Sequence, residues 1–212
     1  MELKTSCPNC GAEIVFRYQA AIQTTCGFCK SILVRQDKDL TRVGVTGEWP
    51  QDASPIQLGV RGSFNGQAFE VVGRIIYEYD LGGWNEWHII LGGKSAWLSD
   101  AQLEYAISRQ WPNTVKWPPA EIVKVGQGFK SLEGTDYFVT SLNKAKYVGV
   151  EGDLPFEYWD KSVMSYLDLG SEDGRFATLD YSEDPPLVFL GEYVDFDSLK
   201  MTGLREFEGW LR

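Results

Sequence analysis

Four cysteines near the start of the sequence are the residues whose types and spacing most clearly predict chemistry. They are Cys7, Cys10, Cys26 and Cys29. They form two C-x2-C pairs separated by fifteen residues, a spacing typical of a tetrahedral zinc site. Two intervening residues let both sulfurs of a tight turn point at one ion, at roughly 2.3 Å. Gly11 and Gly27 lie at these turns, where glycine can adopt the positive φ that such turns often need.

The number of sulfur ligands predicts the role of the metal. Four thiolates complete the coordination sphere and leave no position for water, which argues against Lewis-acid catalysis. We therefore predict a structural Zn²⁺ ion. Iron in a rubredoxin-like site is the alternative, since four sulfurs also suit iron. A pair of disulfides is less favoured in a cytosolic chain.

The elements that must position the cysteines are short strands. Ile14, Phe16 and Tyr18 lie at alternating positions between the two pairs, which predicts a half-buried strand. Residues 31–34 supply a second strand after the second pair. Turns and strands around one ion resemble a zinc ribbon, which we predict over residues 1–36. A segment this short cannot bury a core of its own, so the metal should be what folds it.

Composition and charge bound the remaining function classes. The chain has 212 residues, of which 43% are hydrophobic and 14% aromatic, enough apolar surface for a folded core. Acidic residues outnumber basic ones 30 to 20, for a net charge of −10, which disfavours contact with nucleic acid. The sequence starts without a signal-peptide pattern and has no apolar stretch near the roughly 18–20 residues that span a bilayer. We therefore expect a cytoplasmic protein without direct membrane insertion.

The rest of the sequence is organised as β modules. Residues 37–57 are rich in glycine and proline and are predicted to be a linker. Beyond it we predict a first β module over 58–110, a Pro/Trp-rich connector over 111–124 and a second β module over 125–212. Strands are expected at 67–77, 84–91 and 95–98, with a bulge at Gly73. Residues 100–109 fit a short helix or a fourth strand.

The second module echoes the first in the same order. Residues 58–59, 64–66, 69–72 and 96–99 are matched by 125–126, 132–134, 137–140 and 177–180. A duplicated module would produce such echoes, and so would chance among glycine-rich β sequences. The predicted fold class is mainly β, with an N-terminal zinc ribbon followed by an antiparallel β-barrel or sandwich body, duplicated or not.

Several short boxes carry a resemblance to a known family. They are W-x-E-aromatic at 84–87, W-L at 97–98, E-G-x-L-P at 151–155, T-L-D-Y-S at 178–182 and G-E-Y-V at 191–194. Together they resemble a bacterial family whose main domain is known only as a domain of unknown function, often behind an N-terminal zinc ribbon. The likeness spans most of residues 5–206. The resemblance implies a link to phage-shock envelope-stress proteins and to polyamine-synthesis enzymes. It implies no established activity and therefore no catalytic residues.

Acidic and aromatic residues cluster in the second module and predict a binding site. The candidates are Glu151, Asp153, Trp159, Asp180 and Tyr181. Carboxylates beside aromatic rings can hold an organic cation through ion pairing and cation–π attraction, and a polyamine fits that chemistry. The competing interpretation is a solvated acidic rim whose aromatic side chains turn into the core.

Catalytic chemistry has less support. His88 shares a predicted strand face with Trp84, Glu86 and Ile90, because alternate residues of a strand point to the same face. Glu86 and His88 could therefore form a general-base pair. No matching nucleophile, P-loop or dinucleotide-binding glycine motif accompanies them. We therefore predict no catalytic residues, and a hydrolase is the least favoured function.

The favoured function is a non-enzymatic, zinc-binding adaptor. Its ribbon and aromatic edges would dock a protein partner in a bacterial stress or membrane-associated assembly. The alternative is a sensor that binds a polyamine or another organic cation at the acidic–aromatic site.

Overall fold

A computed structural model describes residues 3–36, 39–46, 54–80, 82–112, 115–157 and 162–206. The predicted fold class is confirmed, because these residues form fifteen β-strands and two short 3-10 turns. No α-helix occurs in the ranges just given.

The strands fall into three consecutive groups. The first group, which we call the ribbon, contains β1 (Leu3–Ser6), β2 (Glu13–Phe16), β3 (Gln23–Thr25), β4 (Ser31–Gln36) and β5 (Asp39–Val45). The first unit contains β6 (Arg61–Phe64), β7 (Gln67–Tyr79), β8 (Gly82–Leu91), β9 (Lys94–Ala101) and β10 (Glu104–Trp111). The second unit contains β11 (Gly128–Leu132), β12 (Thr135–Gly152), β13 (Val163–Gly170), β14 (Arg175–Asp180) and β15 (Leu187–Val194).

The ribbon consists of two small antiparallel sheets. β1 pairs with β2, and β3, β4 and β5 form a three-stranded sheet. Its small core combines two cysteines with apolar residues that include Ile14, Phe16 and Leu33. β5 lies inside residues 37–57, which were predicted to form a linker. It pairs with β4 and so adds a third strand to the ribbon sheet.

The two units form one closed ring of strands. β7, β8, β9, β10, β15, β14, β13 and β12 pair in that order, and β12 also pairs with β7. All of these pairings are antiparallel. The register of β7 against β8 shifts between Val71 and Gly73, which confirms the predicted bulge. Residues 100–109 cover the end of β9, a turn and most of β10, so the strand alternative was right.

The two units occupy equivalent places in the ring and share local details. Gly59 N donates to Val71 O at 2.8 Å, and Gly126 N donates to Val139 O at the same distance. Both glycines have a positive φ, of 87° and 83°. The turns that follow also match, because both central residues of each have a positive φ, at 65–66 and at 133–134.

The outer face of the ring carries two separate cores, one over each unit. The outer face of the first unit packs Trp87 and Ile89 against Leu199 and its neighbours near the C-terminal end. The outer face of the second unit packs Leu167 and Leu179 in a separate core. Strand alternation in β8 places Trp84 and Glu86 on the other, inner face, as the sequence predicts. The inner face carries a third core that includes Tyr77, Trp97 and Tyr166, and these residues also line a cavity inside the ring.

Candidate metal centre and ring cavity

The structure brings the four predicted metal ligands together. The Sγ atoms of Cys7 and Cys29 lie 3.7 Å apart, and those of Cys10 and Cys26 also lie 3.7 Å apart. All four sulfurs lie within 4.8 Å of one another. A tetrahedral ion with sulfur ligands at roughly 2.3 Å separates them by roughly 3.8 Å. The four thiols therefore fit one tetrahedral metal ion, and sulfur ligands of this number suit zinc or iron.

The two cysteine pairs lie on turns of the same form. Gly11 N donates to Cys7 O at 2.9 Å, and Lys30 N donates to Cys26 O at 3.0 Å. Gly11 and Lys30 have a positive φ, of 76° and 59°. The expectation of a positive φ therefore holds for Gly11, whereas in the second turn Lys30 adopts it rather than Gly27.

One of the four cysteines has a close hydroxyl neighbour. The hydroxyl of Ser31 lies 3.2 Å from the Sγ atom of Cys29, and this contact lowers the pKa of the Cys29 thiol. The thiolate is the form that binds a metal ion.

The ring surrounds a cavity of about 1570 Å³ that opens to solvent, and all eight strands contribute to its wall. Its aromatic lining includes Tyr77, Trp84, Trp97, Phe156, Tyr166 and Phe189. The rings of Tyr77 and Trp84 stack at 4.7 Å between centroids, and Tyr166 meets both of them edge-on. Phe156 stacks on Trp97 at 5.7 Å. The cavity wall is therefore rich in aromatic side chains, several of which also pack against one another.

Glu86 is a carboxylate of the cavity wall contributed by the first unit. It accepts hydrogen bonds from Trp84 Nε1 at 3.0 Å and from Ser99 Oγ at 2.8 Å. Removal from solvent raises the pKa of Glu86 to about 7. The carboxyl is therefore present in both protonation states near neutral pH.

Two further cavity carboxylates come from the second unit. Asp168 accepts hydrogen bonds from Ser141 Oγ at 2.7 Å and Thr178 Oγ1 at 2.8 Å. Asp180 accepts one from the backbone N of Ser182 at 2.8 Å. Burial raises the pKa of both aspartates. Ion pairs within the described residues involve neither of them, nor Glu86.

His88 is buried and its ring is held at both nitrogens. Nδ1 lies 2.8 Å from the backbone O of Asp153, and Nε2 lies 2.9 Å from Ser95 Oγ. A carbonyl can only accept, so Nδ1 donates and Nε2 accepts from the serine. Burial lowers the pKa of His88 to about 4. The neutral ring therefore links two elements, and both nitrogens are occupied by hydrogen bonds within the protein.

The predicted acidic–aromatic residues lie at separate places. Glu151 pairs with the buried Arg74 at 3.3 Å. Asp153 is buried beneath the ribbon. Asp180 lines the ring cavity, whereas the hydroxyl of Tyr181 donates to Pro118 O at 2.9 Å and its ring packs in the outer core of the second unit.

Trp159, the fifth predicted residue, lies outside the described residues. Glu86 and Asp168 were not among the predicted binding residues, although both line the cavity with Asp180. The signal that could have found them is strand alternation, which places each carboxylate on the face opposite a run of core residues.

Comparison with known proteins gives a family and no closer relative. A family model described as Domain of unknown function (DUF4178) matches residues 57–196. Neither the search of curated proteins nor the search of solved structures returned a significant match. Among the residues with described structure, no helix has the length and apolar character needed to cross a membrane.

Proposed function

The chain belongs to the family described as Domain of unknown function (DUF4178), and on that premise we propose that it is a non-enzymatic binding protein whose ring cavity holds an organic cation. The observation that carries this proposal is the pairing of cavity carboxylates with aromatic walls. Glu86, Asp168 and Asp180 line the cavity, and ion pairs among the described residues leave all three out.

The electrostatics of the cavity favour a positively charged ligand. A carboxylate withdrawn from water without a cationic partner is costly, and the protein responds by raising its pKa. The raised pKa values of Glu86 and Asp168 express this cost. A bound cation would restore the charged form of these groups, so part of the binding free energy would come from relieving the desolvation penalty.

The aromatic walls favour an organic rather than a metallic cation. Ammonium groups are attracted to the faces of Trp and Tyr, by about 0.5–2 kcal/mol per contact. The cavity volume of about 1570 Å³ exceeds the roughly 300–1,000 Å³ of typical small-molecule sites. A flexible amine with methylene spacers, such as a polyamine, has both the charge and the apolar surface that these walls can bind.

We infer that the two units arose by duplication and share this one site. Their matching hydrogen bonds and their equivalent places in the ring support the inference. Neither unit closes the ring alone, because each contributes four of the eight ring strands. The first unit supplies Glu86, and the second supplies Asp168 and Asp180. Binding would therefore require both halves.

We assign a structural Zn²⁺ ion to the four cysteines, with iron as the alternative. A closed set of four sulfurs leaves no coordination position for a substrate. The ion would hold the ribbon in its fold, and the ribbon's own role would be to contact the ring.

Calorimetry with spermidine at low and high salt tests the proposed function. We expect binding at low salt and weaker binding at high salt, where screening is stronger. Glu86→Gln and Asp168→Asn should each weaken binding about 30-fold or more, since each leaves a buried ligand charge unpaired.

The pH dependence of spermidine binding is a separate test. The affinity should increase from pH 6 to pH 8, because a cation favours the ionised form of Glu86, whose pKa is about 7.

A matched control for this experiment is Glu172→Gln, which removes one negative charge from an exposed turn. It should leave spermidine binding unchanged. Absence of heat at low salt, or equal affinity in wild type and Glu86→Gln, would count against a cation site in the cavity.

A second candidate function, docking of a protein partner, is favoured by one residue of the ribbon. Phe28 lies between Cys26 and Cys29 and is 81% exposed, the highest value among the large apolar side chains of the described residues, so its ring is accessible to a partner. We propose this turn as the contact for a partner protein. A pull-down from the native host should enrich a specific protein with wild type and lose it with Phe28→Ser. Equal recovery with both would refute the role of this turn.

A further inference from the structure

The ribbon contacts the ring at several places, and its largest set of described hydrogen bonds joins it to residues 152–156 of the second unit, which we call the wall segment. Leu154 N donates to Gln23 O at 2.8 Å, and Ile22 N donates to Leu154 O at 2.9 Å. Leu154 thus extends the three-stranded sheet of the ribbon, and its side chain is fully buried. The backbone of the wall segment is therefore held by the ribbon at Leu154 and by the ring at Asp153, whose N donates to Val72 O at 2.8 Å.

The side chain of Asp153 adds a second connection between ribbon and wall segment. Its Oδ1 atom accepts a hydrogen bond from Thr24 Oγ1 at 2.6 Å, and its Oδ2 atom accepts one from Tyr18 N at 2.9 Å. Both donors belong to the stretch between the two cysteine pairs. A buried carboxylate with these partners is costly to leave unsatisfied, so the contact depends on the ribbon remaining in place.

The far side of the wall segment reaches the cavity by two routes. Phe156 lines the cavity and stacks on Trp97. The backbone O of Asp153 holds His88, whose other nitrogen holds Ser95, another lining residue. The ring of Tyr18 also meets that of His88 edge-on at 5.3 Å. A displacement of the ribbon would therefore reach the cavity wall through direct contacts.

The fold of the ribbon depends in turn on the metal ion. Its core contains only a few apolar side chains besides Cys7 and Cys26, which is too little to stabilise a segment of this length. Metal binding supplies the folding free energy of such modules. The position of Tyr18 and Thr24 is therefore tied to the occupancy of the four cysteines.

We propose that the metal centre controls ligand binding in the ring cavity: the metal-loaded ribbon holds the wall segment against the ring, and loss of the metal releases this segment and weakens binding. The inference rests on the proposed function of the cavity, because it assigns regulation to that same site. The ribbon then acts as a sensor of metal supply for a binding site that none of the four cysteines lines.

Hydrogen exchange and calorimetry, each on metal-loaded and chelator-treated protein, test the proposal. Chelation should increase amide exchange in residues 152–156 and 95–97 while β13 and β14 stay protected as an internal reference. The affinity for spermidine should fall tenfold or more.

Thr24→Val, which retains all four cysteines, should bind the metal normally and yet show faster exchange in the wall segment and weaker spermidine binding. Arg42→Gln, an exposed change on β5, should match wild type.

The outcomes separate this proposal from the cation site itself. Unchanged exchange in the wall segment after chelation would overturn metal control, whatever spermidine does. Faster exchange with equal spermidine affinity in both states would overturn it as well. Faster exchange with no spermidine binding in either state would refute the cation as ligand and support the metal-dependent wall.

Discussion

Replacing Cys26 with serine is expected to abolish stoichiometric metal binding and to unfold the ribbon while the ring of strands stays folded. Cys26 is fully buried in the ribbon core, and its Sγ atom lies 3.7 Å from that of Cys10. A serine hydroxyl does not replace a thiolate ligand, and structural zinc contributes about 10–16 kcal/mol to the folding of small zinc modules. The small core of the ribbon does not provide a stabilising free energy of that size.

Elemental analysis and amide exchange measure this result. Wild type should contain one metal ion per chain, and Cys26→Ser should contain almost none and lose protection over residues 3–36. Ser6→Ala, an exposed change next to the first pair, is the matched control and should behave as wild type. A full metal content in Cys26→Ser, or a protein that binds no metal at all, would contradict the four-cysteine centre.

Replacing Gly73 with alanine is expected to destabilise the ring by about 3 kcal/mol or more. A Cβ atom on Gly73 would lie 2.1 Å from the backbone O of Asp153 and 2.9 Å from its backbone C. Backbone atoms cannot move aside as the end of a flexible side chain can, so β7 and the wall segment would have to separate. The same separation would break the hydrogen bond between Asp153 and His88.

Denaturant unfolding followed by tryptophan fluorescence measures the loss. Gly128→Ala provides the control, because the nearest atom to its added Cβ is 4.0 Å away. We expect a large fall in the unfolding midpoint for Gly73→Ala and little change for Gly128→Ala. Similar midpoints for the two variants would show that the close approach at Gly73 is dispensable.

The metal ligands could be predicted from the sequence because their geometry is local. Each C-x2-C pair lies within one tight turn, so the spacing alone determines that two sulfurs converge. Strand faces were predictable for the same reason. Alternation in β8 correctly separated Trp84 and Glu86 from Trp87 and Ile89, since successive side chains of a strand point to opposite faces.

The cavity could not be predicted, because it depends on contacts between distant parts of the chain. The ring closes where Lys146 of β12 pairs with Glu78 of β7 and where Arg109 of β10 pairs with Leu190 of β15. Short strand patterns carry no information about such partners. Without the closure, Glu86 and Asp168 belong to unrelated strands. Acidic clustering along the sequence pointed instead to Glu151, which pairs with Arg74.

The hydrogen bond between Tyr18 of the ribbon and Asp153 of the wall segment has a consequence for how the protein assembles during synthesis. Tyr18 and Asp153 are 135 positions apart. The cysteine pairs leave the ribosome early and can capture an ion at once, whereas their docking surface is made only after the whole first unit and the first two strands of the second unit. At about 5–20 residues per second, the ribbon stays undocked for roughly 7–27 seconds after it has been made. During that interval Phe28 is exposed, and the groups of Tyr18 and Thr24 that will bind Asp153 have no partner from the second unit. These groups are then accessible to other proteins in the cell.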